Sequence, residues 1–99
     1  MRYRLESGVV LEKVAGHDLL ITYGEPGRDR MPYVLKVNET GAFFWRLLEK
    51  GESPEGMVRL AAAEYDAPED RIRQSVRQFI EELEGFGYLT AEEEARTET

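Results

Sequence analysis

Few residues of the types that perform chemistry occur in this chain, and they lie far apart. There is one histidine, His17, and no cysteine, so the chain lacks the residues for a thiolate or multi-histidine metal site. Gly24 and Gly27 precede no predicted helix and lack the spacing of a phosphate-binding loop. No nucleophile has a base beside it in a recognisable motif. We therefore predict no catalytic residue, no metal ligand and no cofactor, and expect a protein that binds a partner.

Two other patterns suit the binding of a partner. Arg73 and Arg77 are four positions apart, so on a helix they form one basic rim. Each exposed ion pair between such a rim and an acidic partner contributes about 0.2–1 kcal/mol. Residues 33–37 are mostly apolar and contain no proline, which is compatible with a strand at the edge of a sheet. The same arginines also suit a solvated face, and Lys36 suits the protection of an ordinary sheet edge.

The first half of the sequence contains three predicted strands that would position this edge. Residues 9–14 and 19–23 are rich in β-branched and other apolar side chains and are separated by a turn at 15–18, which predicts an antiparallel hairpin. Glycines and prolines between 24 and 32 predict a loop. The third strand, 33–37, follows this loop and is the last strand of the predicted sheet.

The second half contains three predicted helices. Asn38 is a suitable N-cap for a helix that runs to about residue 50, and Ser53 followed by Pro54 starts the second helix. The third helix starts near Pro68 and has the clearest amphipathic pattern: Ile72, Val76, Phe79, Ile80 and Leu83. Strands followed by helices predict an α+β fold. We expect a winged-helix-like arrangement, with a three-stranded antiparallel sheet followed by three helices.

Length and charge limit the partners. The chain has 99 residues, enough for one domain, which we place at residues 1–89, followed by an acidic flexible tail at 90–99. No segment is apolar enough for a signal peptide or a membrane span, so the expected location is the cytoplasm. The net charge is −7, and the excess of acidic residues lies in the second half. Because an acidic protein repels phosphate backbones, we expect neither nucleic acid nor membrane as a partner.

Three motifs resemble the PqqD family, whose members are also described as recognition elements for ribosomally made, modified peptides. In chain order they are a strand followed by Asn38-Glu39-Thr40-Gly41-Ala42, Trp45, Leu47-Leu48 and Gly51; then Ser53, Glu55, Val58 and Glu64-Tyr65-Asp66; then Val76, Phe79-Ile80, Leu83 and Gly87-Tyr88-Leu89. Together they cover roughly residues 9–89. The sequence departs from the family at Ser75, where members commonly have an aspartate, and in the composition of the loop at 24–32.

The resemblance implies a peptide chaperone that binds the leader of a precursor peptide and presents it to a tailoring enzyme, often a radical S-adenosylmethionine enzyme. The leader would be held as an extra strand on the third strand, in a groove bounded by the third helix. We therefore predict that these two elements supply the peptide-binding residues: Val34, Leu35, Lys36, Val37, Ile72, Arg73, Val76 and Arg77. The sequence leaves open which flank of the helix faces the strand, that of Arg73 and Arg77 or that of Ser75 and Phe86.

Other functions are compatible with the same fold. A winged-helix protein could bind DNA through its third helix, although acidic residues outnumber the arginines there. An enzyme would need a catalytic or cofactor motif, and we find none. A free sheet edge can also pair with its own copy, so the expected state is a monomer or a strand-paired dimer. The sequence does not identify the precursor peptide or the maturation enzyme.

Overall fold

A computed structural model describes residues 2–23 and 33–92, without the side chains of Arg2 and Glu92. The loop predicted at 24–32 and residues 93–99 of the predicted tail lie outside these ranges. Eight elements follow one another along the chain: β1 (Arg2–Leu5), β2 (Val9–Val14), β3 (His17–Thr22), β4 (Val34–Val37), α1 (Glu39–Glu49), α2 (Pro54–Tyr65), α3 (Glu69–Phe86) and β5 (Leu89–Glu92).

Strands β2, β3 and β4 form an antiparallel sheet in that order. The turn between β2 and β3 is shorter than predicted, because Ala15 and Gly16 both have positive φ, at 51° and 83°. Two such residues close a two-residue hairpin whose twist matches that of the strands. His17 and Asp18, which we placed in the turn, therefore belong to β3.

A second, two-stranded sheet joins the start of the described chain to its end. β1 pairs antiparallel with β5, with Tyr3 opposite Ala91 and Leu5 opposite Leu89. The Glu6 N–H donates to the Tyr88 carbonyl at 2.8 Å and continues the pairing. The sequence analysis assigned neither strand, and it began the tail at residue 90, whereas β5 continues to Glu92.

The helices begin and end close to the predicted residues because their capping signals are local. The Asn38 side chain accepts the Gly41 N–H at 2.7 Å at the start of α1, and Ser53 Oγ accepts the Gly56 N–H at 3.1 Å at the start of α2. α3 continues through Gly85 and ends at Gly87, whose φ of 87° is the left-handed conformation that often ends helices.

The core lies between the three helices and the inner faces of the two sheets. Trp45 is 1% exposed, contacts the Tyr88 ring edge-to-face at a centroid distance of 6.3 Å, and donates from Nε1 to Glu49 at 2.9 Å. It is a core residue. The α+β class with a three-stranded antiparallel sheet and three helices is confirmed, and the β1–β5 sheet is added to it. Within the described ranges no helix is long and apolar enough to span a membrane.

Candidate functional site

Strand β4 is an open edge of the three-stranded sheet. Among the described strands it pairs with β3 alone. The Thr22 N–H donates to the Tyr33 carbonyl at 2.8 Å, so Thr22 and Tyr33 are a hydrogen-bonded pair between β3 and the residue before β4. Since hydrogen-bonded and non-hydrogen-bonded pairs alternate, Leu35 and Val37 bond to β3, while the N–H and C=O groups of Val34 and Lys36 point away from it. Four backbone groups are therefore directed at the open edge.

The side chains of β4 alternate between the two faces of the sheet. Leu35 lies opposite the fully buried Leu20, and Val37 lies two residues further along the same inner face; both are half-buried. Val34 is 53% exposed and Lys36 is also exposed, on the outer face. An additional strand beside β4 would continue this alternation, with every second side chain directed at the inner face.

A groove lies between β4 and one flank of α3, and we call it the β4–α3 groove. Its volume is about 410 Å³. Its walls are residues 35–37 of β4, the first turns of α1, and α3 residues spaced three or four positions apart, as one side of a helix requires. The α3 residues are Ser75, Gln78, Phe79, Glu82, Leu83 and Phe86.

The floor of the groove is made of closely packed aromatic and small residues. The Phe44 and Phe79 rings pack at a centroid distance of 5.6 Å. A Cβ on Gly41 would lie only 3.2 Å from a ring carbon of Phe79 and 3.3 Å from the Cβ of Val37. Gly41 therefore lets the start of α1 approach α3 and β4 at the base of the groove, and it is a functional candidate that the sequence analysis cited only as part of a motif.

The α3 rim of the groove is neutral or acidic, and its large apolar member is accessible. Phe86, the last residue of α3, is 38% exposed, although its side chain is large and apolar. Glu82 is exposed, one turn before it. Within the described part of the chain, Glu82 has no ion-pair or hydrogen-bond partner. The rim can therefore contact a further apolar or basic group.

The arginines expected at the peptide-binding site lie on the opposite flank of α3. Arg73 and Arg77 line a separate depression that also contains Tyr3, Glu55 and Glu84. Ile72 and Val76 are buried in the core, at 6% and 2% exposure, and do not line the β4–α3 groove. Arg73 and Arg77 thus lie outside the β4–α3 groove, and the flank of α3 that borders it is the alternative one, with Ser75 and Phe86.

Arg73 already has a partner within the protein. Its guanidinium donates to both carboxylate oxygens of Glu55 on α2, from Nη2 at 2.9 Å and from Nε at 3.3 Å. Glu69 and Asp70 lie further away, at 3.9 and 3.6 Å. The hydrogen bond from Arg73 lowers the pKa of Glu55, and the same bond raises the pKa of Arg73. This flank links α3 to α2 instead of facing β4.

A third depression lies at the β2–β3 turn and carries no recognisable chemistry. It contains His17, Arg46 and Asp18, and the buried Asp18 carboxylate is paired with Lys13 at 3.2 Å. In the ranges that the structure covers, no three histidine, aspartate or glutamate side chains are grouped so that they could hold a metal ion. The β4–α3 groove is therefore the strongest candidate site.

Comparisons with known proteins agree with the fold and the motifs. The sequence model of the PqqD family, described as coenzyme PQQ synthesis protein D, matches residues 28–89. Among curated proteins, none matches the sequence.

Two solved structures have a similar fold. One is named TbiB1 in complex with the TbiA(beta) leader peptide; it is 22% identical, covers 92% of this chain and 99% of its own, and has a TM-score of 0.72. The other is named lasso peptide synthetase B1 complexed with the leader peptide; it is 18% identical, covers 90% of this chain and 98% of its own, and has a TM-score of 0.71. Because the family match spans more than half of the sequence and the motifs lie in register, this chain belongs to the PqqD family.

Proposed function

We propose that this protein binds the leader segment of a ribosomally made precursor peptide as a strand added to β4, and presents the remainder of that peptide to a tailoring enzyme. The single observation that carries the proposal is the open edge of β4 beside the β4–α3 groove. We call the bound segment the client strand.

The backbone of β4 supports strand addition. Val34 and Lys36 direct their N–H and C=O groups away from β3, so a client strand can bond to both residues without disturbing the existing sheet. Main-chain bonds of this kind depend little on the sequence of the client. They supply affinity for an extended segment in general, while selectivity must come from the side chains nearby.

The groove supports a preference for apolar side chains. Every second residue of a client strand would lie over Leu35, Val37, Phe44 and Phe79, which are apolar and already half-buried or buried. Burying one aliphatic or aromatic side chain there contributes about 1.5–3 kcal/mol when the burial is complete. A few such contacts and the main-chain bonds are sufficient for specific binding of a short segment.

The comparisons support the same use of the fold. Both similar structures are, by name, complexes with a leader peptide. Their identity to this chain is low, so they support the proposal through the shared fold and not through matched site residues. The PqqD family resemblance adds a tailoring enzyme as the second partner, with a radical S-adenosylmethionine enzyme as the expected type. DNA binding gains no comparable support, because the charged residue on the α3 rim of the groove is Glu82.

Amide hydrogen exchange tests the strand addition. The probe is a peptide enriched on the wild-type protein from a randomised mRNA-displayed library. Saturation with this peptide should slow exchange of the Val34 and Lys36 amides strongly. Exchange at Leu35 should change little, because its N–H already bonds to β3. Protection confined to α2 or to β1 would contradict strand addition at β4.

Proline substitutions test the same bonds by affinity. Val34→Pro and Lys36→Pro each remove one N–H that faces the open edge. Both should fold and bind the enriched peptide about two- to tenfold more weakly, as expected for one lost hydrogen bond. Leu35→Pro is the matched comparison, because it removes an N–H from the β3–β4 ladder and should destabilise the fold itself. Wild-type affinity of both edge variants would exclude the proposed mode.

A further inference from the structure

We propose that the β4 edge selects its client strand by charge on both faces of that strand: a basic residue in a groove-facing position near Glu82 and an acidic residue in an outward-facing position near Lys36. This inference rests on the proposed function and names the class of peptide that the site takes. Arg73 and Arg77 would have favoured an acidic leader if they had lined the groove.

Glu82 supplies the inner half of this selection. Its carboxylate lies on the α3 wall of the groove, opposite β4, and is exposed. In the described parts of the chain no cation pairs with it, in contrast to Glu55, which holds Arg73 at 2.9 Å. A carboxylate without an internal partner favours a lysine or arginine on the client, whose aliphatic part can also cover the apolar floor.

Lys36 supplies the outer half. Its side chain is exposed, and its alternation with the half-buried Leu35 and Val37 places it on the outer face of the sheet. No ion pair involving Lys36 occurs among the described residues. On an added strand, the neighbouring side chain of the same face lies within about 5 Å, so an opposite charge there is favoured.

The two charges act on different residues of the client because a strand alternates its side chains. Glu82 lies near the groove-facing residues of the client, and Lys36 lies near its outward-facing residues. The selected pattern is therefore a basic and an acidic residue an odd number of positions apart, with apolar residues in the remaining groove-facing positions. If the client strand shifted by one residue, its groove-facing and outward-facing residues would change places. Its basic residue would then lie on the face of Lys36 and its acidic residue on the face of Glu82. The pattern therefore fixes the register as well as the composition.

Glu81 provides a matched control on the same helix. It is adjacent in sequence and exposed, but it lines the depression with Arg73 and Arg77 on the other flank. Glu82→Lys and Glu81→Lys make the same change in net charge at neighbouring positions. Any difference between them in the binding of peptides therefore reports the local position of the charge, since the overall field of the protein changes equally.

The experiment is a selection of a randomised mRNA-displayed peptide library on wild type, Glu82→Lys, Glu81→Lys and Lys36→Glu. Wild type should enrich Lys or Arg and Asp or Glu at an odd separation. Glu82→Lys should lose or reverse the basic preference, Lys36→Glu should lose or reverse the acidic one, and Glu81→Lys should keep both. By fluorescence anisotropy, a wild-type-selected peptide should bind Glu82→Lys about threefold more weakly at low salt and bind Glu81→Lys unchanged.

The outcomes separate this inference from the proposed function. Recovery of no binding peptide would overturn the proposed function and the inference together. Peptides that protect the Val34 and Lys36 amides but bind the Glu82 and Glu81 variants equally would overturn the inference and leave the function standing. A threefold difference that shrinks in high salt would support it, because salt screens exposed pairs.

Discussion

Arg73 and Glu82 lie on the two flanks of α3 and differ in whether another residue in the described ranges pairs with them. On the flank toward α2, Arg73 donates two hydrogen bonds to Glu55 and so joins two helices of the same molecule. On the flank toward β4, Glu82 has no partner in the described residues, and Phe86 leaves 38% of its surface in solvent. Charged residues are frequent on the first flank, whereas Glu82 is the charged α3 residue that lines the groove on the second.

A charged residue is a stronger candidate for a binding site when no other residue of the protein already pairs with it. Arg73 and Arg77 have the spacing of a binding rim, but Arg73 serves the contact between α2 and α3. Glu82 and Phe86 have the same four-residue spacing, and they border an open strand edge. Unpaired polar and exposed apolar groups beside unpaired backbone are more informative about binding than the charge pattern itself.

The largest expected effect is at the floor of the groove. Gly41→Ala would place a Cβ about 3.2 Å from Phe79, so we expect a loss of about 1–3 kcal/mol in the free energy of unfolding and weaker peptide binding. Gly85→Ala, on α3 but with nothing within 4 Å of its Cβ, should instead raise stability by about 0.5–1 kcal/mol. Urea denaturation measures the free energy of unfolding of both variants. If Gly41→Ala were as stable as wild type, the added Cβ would cause no strain where α1 approaches α3.

A smaller effect, on binding alone, is expected at the end of α3. Phe86→Ala should weaken binding of a selected peptide about fivefold, because it removes an accessible apolar contact of the groove. Tyr65→Ala is a close control: Tyr65 is also 38% exposed and is also the last residue of its helix, α2, but it does not line the groove. Comparable losses of affinity in the two variants, measured by anisotropy, would remove Phe86 from the site.

On the flank of α3 that faces α2, we expect a substitution to change the stability of the fold but not the affinity for peptides. Glu55→Gln removes the ion pair with Arg73, so it should lower the unfolding free energy slightly and leave the affinity for a selected peptide unchanged. A clear loss of affinity in Glu55→Gln would show that this flank takes part in peptide binding after all.

The smallest expected effect is a pH dependence of that same contact. The hydrogen bond from Arg73 lowers the pKa of Glu55 from its ordinary 4.5, so the folded state binds its proton less tightly than the unfolded state. The contact therefore stabilises the fold fully above the ordinary pKa, and this contribution is lost as pH falls through the lowered value. The stability difference between wild type and Glu55→Gln should vanish in acid; a difference that persists there would assign it to packing.

Local signals in the sequence predicted the helices well. Asn38 and Ser53 act as N-caps through their own side chains, and Gly87 ends α3 through its own backbone conformation. Each of these signals depends on residues a few positions apart, so it can be recognised without knowing the rest of the fold. The edge strand β4 was predicted for a similar reason, because its apolar run follows a loop and precedes a capped helix.

Interactions between distant residues could not be predicted in the same way. β1 pairs with β5, more than eighty positions away along the chain, and its four residues are too short a pattern to specify a strand or its partner. The pattern of α3 showed that Ile72 and Val76 are buried, but both flanks border that buried face. Which flank meets β4 depends on how α1 and α2 pack, and the sequence of α3 alone does not contain that information.

The short length of β4 has a consequence for the enzyme that would act on the client. With only four residues in the strand, a client strand bound as proposed would be held over a short span, and its alternating contacts would favour one alignment. Each residue between that segment and the modified position adds at most about 3.3–3.6 Å of reach. The number of intervening residues then sets which site of the precursor arrives at the catalyst, so the chaperone would act as a molecular ruler.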